Sequence, residues 1–228
     1  MPVRRDWTLA LDADLVLRGQ GADPVVIRGR SRALVAIAED ALAAARPLIA
    51  PAVLYRMVEV EGLRHERLTL HGGAQLSGTL VAQHLGNARR VAVALCTIGP
   101  ALEDYAAEVM QDDPSLGLAL DGCGSAAAEV LANSACRYFE SLATEAGEQA
   151  TLPLSPGMIG WPVETGQPEL LALIDTQEIG VHAATSGMMH PRKSVSFVVG
   201  LGPEVTAGGH ACDYCNLRQT CNYQDHYS

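Results

Sequence analysis

Three cysteines near the C-terminus form the densest group of chemistry-bearing residues in the chain: Cys212-Asp213-Tyr214-Cys215, then five residues, then Cys221. A Cys-x-x-Cys turn places two thiolates on one ion, and a third cysteine shortly beyond can close the same site. Zinc would take its fourth ligand from His210, His226 or Cys96. A four-iron cluster can use the three cysteines and leave one iron open or ligated from outside. A thiol redox pair built on Cys212 and Cys215 is a third chemistry open to this spacing. Cys96, Cys123 and Cys136 sit among apolar and small residues and read as core positions.

Upstream lies a second group. Ser155-Pro156-Gly157 is a tight-turn signal, since proline fixes one dihedral and glycine takes a positive one. The backbone amides of such a turn could meet a ligand carboxylate or phosphate. Trp161-Pro162-Val163-Glu164 follows, then Met188-Met189-His190-Pro191-Arg192-Lys193-Ser194-Val195-Ser196, then Gly200-Leu201-Gly202-Pro203. Turn formers thus bracket one short apolar segment and one β-branched segment, a layout suited to a binding wall of rigid turns around a strand.

The elements that position these groups follow from periodicity. Ser31 is placed to cap a helix over 32–46, whose Leu34, Ile37, Ala38, Ala41, Leu42 and Ala45 share one face. Residues 53–61 and 67–70 alternate as strands, and Val25-Val26-Ile27 reads as a short one. A short helix is expected over 77–85. The continuous apolar run of 90–97 predicts a buried strand, followed by a helix from Pro100 to about 111. Residues 116–146 are the longest helical stretch, divisible into two helices at Gly122 and Gly124. On it, Glu129 and Asn133 share a face, either turned to solvent or touching a pocket. A short amphipathic helix is expected over 167–175 and a strand over 194–201, with Val195, Phe197 and Val199 on one face. Helices and strands mix without a βαβ repeat, which predicts an α+β fold with an antiparallel or mixed sheet.

The order of motifs from Ser155 to Pro203 resembles the reactivation domain of cobalamin-dependent methionine synthase, and more closely its short stand-alone relatives. The likeness extends loosely back through Ile98-Gly99-Pro100 and the Ala-rich helix around 121–142. It divides the chain into an N-terminal α/β region (1–95), an activation-like region (96–207) and a Cys-rich tail (208–228). The resemblance implies a single C-shaped α+β domain that binds S-adenosylmethionine in a shallow site. It implies a partner too: a corrinoid-carrying methyltransferase whose cob(II) is reduced and then methylated from S-adenosylmethionine. Ser155, Pro156 and Gly157 would shape the cofactor turn, and the segment with Arg192, Lys193 and Ser194 would face it. The chain departs from the family at Pro153, Met158 and Val199, where the family carries an arginine and two tyrosines. Arg192 or Lys193 could supply the missing positive charge. Because reactivation consumes an electron, an iron–sulfur cluster at Cys212, Cys215 and Cys221 would suit it better than zinc. The competing expectation is a non-catalytic module that binds a corrinoid protein and carries a structural zinc tail.

Composition narrows the rest. With 228 residues and 48% hydrophobic content, the chain can bury a substantial core. A formal net charge of -10 without a Lys/Arg-rich run argues against a nucleic-acid groove, and suits docking to a basic partner. The start, Met1 to Trp7, has two arginines but no apolar stretch behind them, and the longest apolar run, 91–98, is too short to span a bilayer. The expectation is a cytoplasmic protein without a membrane segment.

Overall fold

The strand expected over 90–97 lies in the middle of the molecule, which we describe from a computed structural model covering residues 1–206, 209–215 and 218–219. In chain order the elements begin with β1 (Val3–Arg4), α1 (Ala13–Gly19), α2 (Pro24–Arg30), α3 (Arg32–Ala45), β2 (Ala52–Arg64), β3 (Arg67–Leu70) and β4 (Gln75–Ser77). Then come α4 (Thr79–Leu85), β5 (Arg90–Thr97), α5 (Ala101–Asp112), α6 (Pro114–Glu145) and β6 (Gln149–Ala150). The chain continues through α7 (Val163–Leu171), β7 (His182–Ala183), β8 (Met189–His190) and β9 (Ser194–Gly202) to a 3₁₀ turn at Ala211–Tyr214.

One sheet runs in the order β4-β3-β2-β5-β9-β6, with β1 also on β2, and every pairing in it is antiparallel. This is the expected α+β architecture, with the sheet resolved as antiparallel. The 13-residue β2 serves three neighbours: Val53 and Leu54 pair with β1, residues 52–59 pair with β5, and residues 60–64 pair with β3 across a register shift between Val60 and Gly62. That shift turns β3 and β4 away from the main sheet and curls it.

Side chains of β5 alternate between two cores. Ala92, Ala94 and Cys96 face the helix-side core with α1, α3, α5 and α6, while Val91, Val93 and Leu95 face a second core. The second core is closed by α4, α7 and residues 152–181, with Trp161 fully buried in it. Both faces of β5 are therefore dry, which is why its sequence is continuously apolar rather than alternating. Position 95 lies inside this strand, and residues on either side of it contribute to both cores.

Three expectations need correction. Val25-Val26-Ile27 is not a strand but part of α2. Asp23 Oδ1 accepts from the amides of Val25 and Val26, with Pro24 in the first helical turn, so the cap overrides the β-branched preference. Residues 114–145 form one helix, uninterrupted at Gly122 and Gly124. Those glycines are there for packing. A Cβ at Gly122 would lie 2.8 Å from the Val16 carbonyl oxygen of α1, and a Cβ at Gly19 of α1 would press still closer on the Gly122 carbonyl oxygen. The helix expected over 167–175 instead begins at Val163 and ends at Leu171, with Pro168 inside it rather than at its start. The Ser31 cap is present, its Oγ accepting from Leu34 N at 3.3 Å.

Candidate functional site: a cavity between α6, β9 and the C-terminal turn

Ser155, Pro156 and Gly157 form a turn locked from within. Gly157, at φ 101°, donates its N–H to Trp161 O at 2.7 Å, and Met158 N donates to Ser155 O at 3.2 Å. Ser155 N points at Met158 Sδ, 3.4 Å away. The amides of the turn are thus engaged inside it, and the expected role for them as ligand donors is not what this geometry offers. Trp161 anchors the turn. Its ring is wedged so closely that a Cβ at Gly166 would lie 2.5 Å from Nε1.

Facing the turn is the start of β9. Its position depends on two acidic side chains from the helix layer. Glu103 of α5 accepts from Arg192 N at 2.7 Å and from Arg192 Nε at 2.6 Å. Lys193 Nζ lies 2.8 Å from Asp121 Oδ1 and 2.9 Å from Ser125 Oγ, both on α6. The Lys193 methylenes run over Gly124, where an added Cβ would lie 3.1 Å from Cγ and Cε. Ser194 Oγ sits 2.9 Å from Thr97 Oγ1 of β5 and 2.7 Å from Pro191 O.

The C-terminal turn completes the wall. Ile159 N donates to Tyr214 O at 2.8 Å, Cys215 N to Cys212 O at 3.2 Å, and the Tyr214 ring meets His84 edge-on with centroids 4.9 Å apart. Ala211 is buried in the second core.

Between these walls lies a cavity of about 650 Å³. All six expected cofactor-binding residues line it (Ser155, Pro156, Gly157, Arg192, Lys193 and Ser194), and so do Cys212 and Cys215. From α6 come Ser125, Ala128 and Glu129. Of the two α6 residues singled out in the sequence, Glu129 therefore borders the cavity. Of the three departures from the family pattern, Met158 lines the cavity, Pro153 borders a small void beside it, and Val199 is buried in the helix-side core.

The electrostatics are those of a site whose cations are already paired. Burial would raise the Glu103 carboxyl, but the hydrogen bonds and charge of Arg192 outweigh it and hold the pKa below the usual value. Burial pushes the Glu129 carboxyl upward, with Arg18 opposing. The remaining lining is apolar: Ala128, Met158, Val195 and Ala211. Sequence reasoning missed Glu103 and Asp121. Glu103 is 89 residues from Arg192, and no local spacing marks such a pair.

Cys212 and Cys215 are free, half-buried thiols, whereas Cys96, Cys123 and Cys136 are buried. Cys96, one candidate for a fourth ligand, is sealed in the helix-side core. Cys221 and His226 lie outside the described residues. Among the described residues, no group of three or more His, Cys, Asp or Glu side chains is arranged to hold a metal, and no helix is long and apolar enough to cross a membrane.

No protein-family model matches the chain, and no curated protein matches it in sequence. Among solved structures, a crystal structure of the MetH reactivation domain bound to AdoHcy matches with a TM-score of 0.65. The match covers 94% of this chain and 83% of that one, at 13% identity. The fold is that of the reactivation domain, as the motif order from Ser155 to Pro203 implied.

Proposed function

We propose that this protein is an accessory factor for the reductive reactivation of a corrinoid-dependent methyltransferase. The observation that carries the reading is the cavity. In a fold whose solved example holds AdoHcy, it brings together the Ser155–Gly157 turn, the start of β9 and two cysteines of the tail. S-adenosylmethionine would lie with its adenosine against Ala128, Met158 and Val195, and Glu129 would favour its cationic end. Its carboxylate would turn to Arg192, which is half in solvent, at the expense of part of the pairing with Glu103. That competition, and the engaged amides of the turn, favour weak binding. The protein's contribution is to position the methyl donor against a corrinoid carried by the partner.

The finer parts of the reading are a metal at Cys212, Cys215 and Cys221, and an electron supplied through it. Two soft sulfur donors three residues apart, Cys212 on a 3₁₀ turn and Cys215 capping its end, suit a thiophilic metal. An iron–sulfur cluster would deliver the one electron that cob(II) needs before methyl transfer, and zinc is the alternative. Free thiols at all five described cysteines suit a reducing compartment such as the cytoplasm.

Calorimetric titration with S-adenosylmethionine and AdoHcy tests the ligand. Heat with a single-site isotherm is expected, and no binding at millimolar ligand would remove the methyl-donor role. Metal analysis of anaerobically purified protein tests the electron role. Iron with absorbance at about 400 nm is expected. Colourless protein with stoichiometric zinc would favour a corrinoid-protein-binding module with a zinc tail.

A further inference from the structure

Disulfide exchange needs only two thiols, and the C-terminal turn sets a pair of them in place for it. Cys212 lies in the 3₁₀ turn Ala211–Tyr214, and Cys215 directly follows it. Cys215 N donates to Cys212 O at 3.2 Å, which closes a four-residue turn. A turn of that kind brings its first and fourth Cα atoms within about 7 Å, the span that a disulfide can bridge. Both thiols are free and half-buried, and both residues border the cavity of about 650 Å³. The turn is held from two sides. Ile159 N donates to Tyr214 O at 2.8 Å, Arg218 N donates to Cys215 O at 3.2 Å, and Arg218 Nη1 lies 2.7 Å from Asp213 Oδ1. The other described cysteines, Cys96, Cys123 and Cys136, are sealed in the helix-side core.

We propose that Cys212 and Cys215 form a dithiol that exchanges with a small organic disulfide admitted to the cavity. One cysteine, as its thiolate, attacks a sulfur of the ligand R–S–S–R. A Cys–S–S–R bond forms, and R–S⁻ leaves and takes up a proton. The other cysteine, as its thiolate, then attacks the cysteine sulfur of this mixed disulfide. The Cys212–Cys215 bond forms, and the second R–S⁻ leaves and is protonated in turn. Two electrons pass from the protein to the ligand, the two thiol protons are balanced by those on two R–SH, and excess small thiol reverses the exchange. A small disulfide is the fitting class because the thiols are half-buried against a cavity of small-molecule size, whose Ala128, Met158 and Val195 offer apolar contact to its organic arms. The inference goes beyond the function proposed above and does not rest on the metal reading. It is the chemistry of the metal-free chain, and a metal on the same sulfurs would block it.

The probe is hydroxyethyl disulfide. The full chain, reduced and stripped of metal by a chelator in the absence of oxygen, is incubated with it, quenched by alkylation and digested with trypsin. Cleavage after Lys193 and Arg218 leaves Cys212 and Cys215 together on peptide 194–218 and Cys221 on the next peptide. Peptide 194–218 is expected to be lighter by two hydrogen atoms and to carry no alkyl group, with two mercaptoethanol molecules released per chain. Cys221→Ser is expected to exchange as the native chain does. Ala128→Phe fills the cavity from α6 and Ser155→Phe from the opposite wall, and either is expected to slow the exchange severalfold. A disulfide to Cys221 in place of the Cys212–Cys215 bond would overturn the proposal. So would a folded chain that stays inert while the urea-unfolded chain reacts, or a rate unchanged in both cavity-filling variants. Should those variants not fold, the native chain decides: its rate is expected to level off as the probe is raised, and a strictly proportional rate would refute uptake into the cavity. Calorimetry with S-adenosylmethionine on the same reduced, metal-free chain reports on the proposed function separately.

Discussion

Glu103 holds Arg192 twice, through its backbone N–H at 2.7 Å and its guanidinium Nε at 2.6 Å. One carboxylate on α5 thereby fixes both the main chain and the side chain at the entrance to β9. The carboxylate is 16% exposed and the guanidinium 54%. The pair is therefore screened on one side only, and its value lies between that of a surface ion pair and a buried one.

Glu103→Gln should cost about 1–2 kcal/mol of stability at neutral pH, measurable by urea unfolding. The pH dependence has a definite sign. The Glu103 pKa is depressed in the folded protein from an ordinary value of 4.5, so its contribution is complete above that value and is lost as pH falls through the lower folded pKa. Wild type and Glu103→Gln should converge in stability below pH 4.5. A difference that stays constant down to the acid transition would contradict the pairing.

The two α6 glycines should respond differently to alanine. At Gly124 the added methyl meets only the Lys193 methylenes, and the gain in helix propensity of about 1 kcal/mol offsets their displacement. Stability should change little, while any ligand titrated into the cavity binds more weakly. At Gly122 the methyl meets backbone of α1, which cannot step aside, and Gly122→Ala should cost about 1–3 kcal/mol. Thermal unfolding of the two variants side by side makes the comparison.

Tyr55 and Tyr138 share a hydroxyl contact at 3.1 Å, and burial first, then this contact, pushes the Tyr55 pKa up to about 12. A raised folded pKa means that stability is intact below the ordinary value of 10.0 and declines as pH rises from there towards 12. Spectrophotometric titration should show a late-ionising tyrosine. Tyr138→Phe should lower its pKa only in part, because burial is the larger cause.

Native-state alkylation should separate the cysteines. Burial pushes Cys123 and Cys136 up to about 12 and Cys96 well above its ordinary value. At pH 8, iodoacetamide should modify Cys212 and Cys215 in the metal-free protein and leave the three core thiols untouched until the chain is unfolded, as read by peptide mass spectrometry. Rapid labelling of Cys123 would mean that the α6 packing described above does not hold.

The sequence disclosed the elements whose signals are local. A dry strand shows as an unbroken apolar run, so β5 was plain. A serine before a helical stripe fixes a start, so α3 was plain too. The errors arose where two local signals competed. At 23–27 the Asp-Pro cap and the β-branched triplet disagree, and the cap wins because it satisfies amide groups that nothing else would. At Gly122 and Gly124 the local signal is a helix break, and only the neighbouring helix and Lys193 give these glycines a packing role. The candidate site was legible from the turn, the start of β9 and the cysteine pair. Its acidic supports were not, since Glu103 and Asp121 act across the fold on residues far along the chain.

The sharing of β5 between two cores has a practical consequence for anyone dissecting the molecule. The family-like motifs lie in the second half of the chain, which invites expression of that half by itself. Cut after β5, such a fragment would lack β2 and β5 and would leave one long side of β9 bare, an unpaired hydrophobic edge. It would also lose α1 and α3 from the layer against which α6 packs. The first ninety or so residues, though they carry little of the resemblance, are the other half of the structure that keeps the cavity in shape. A transplantable unit must include them.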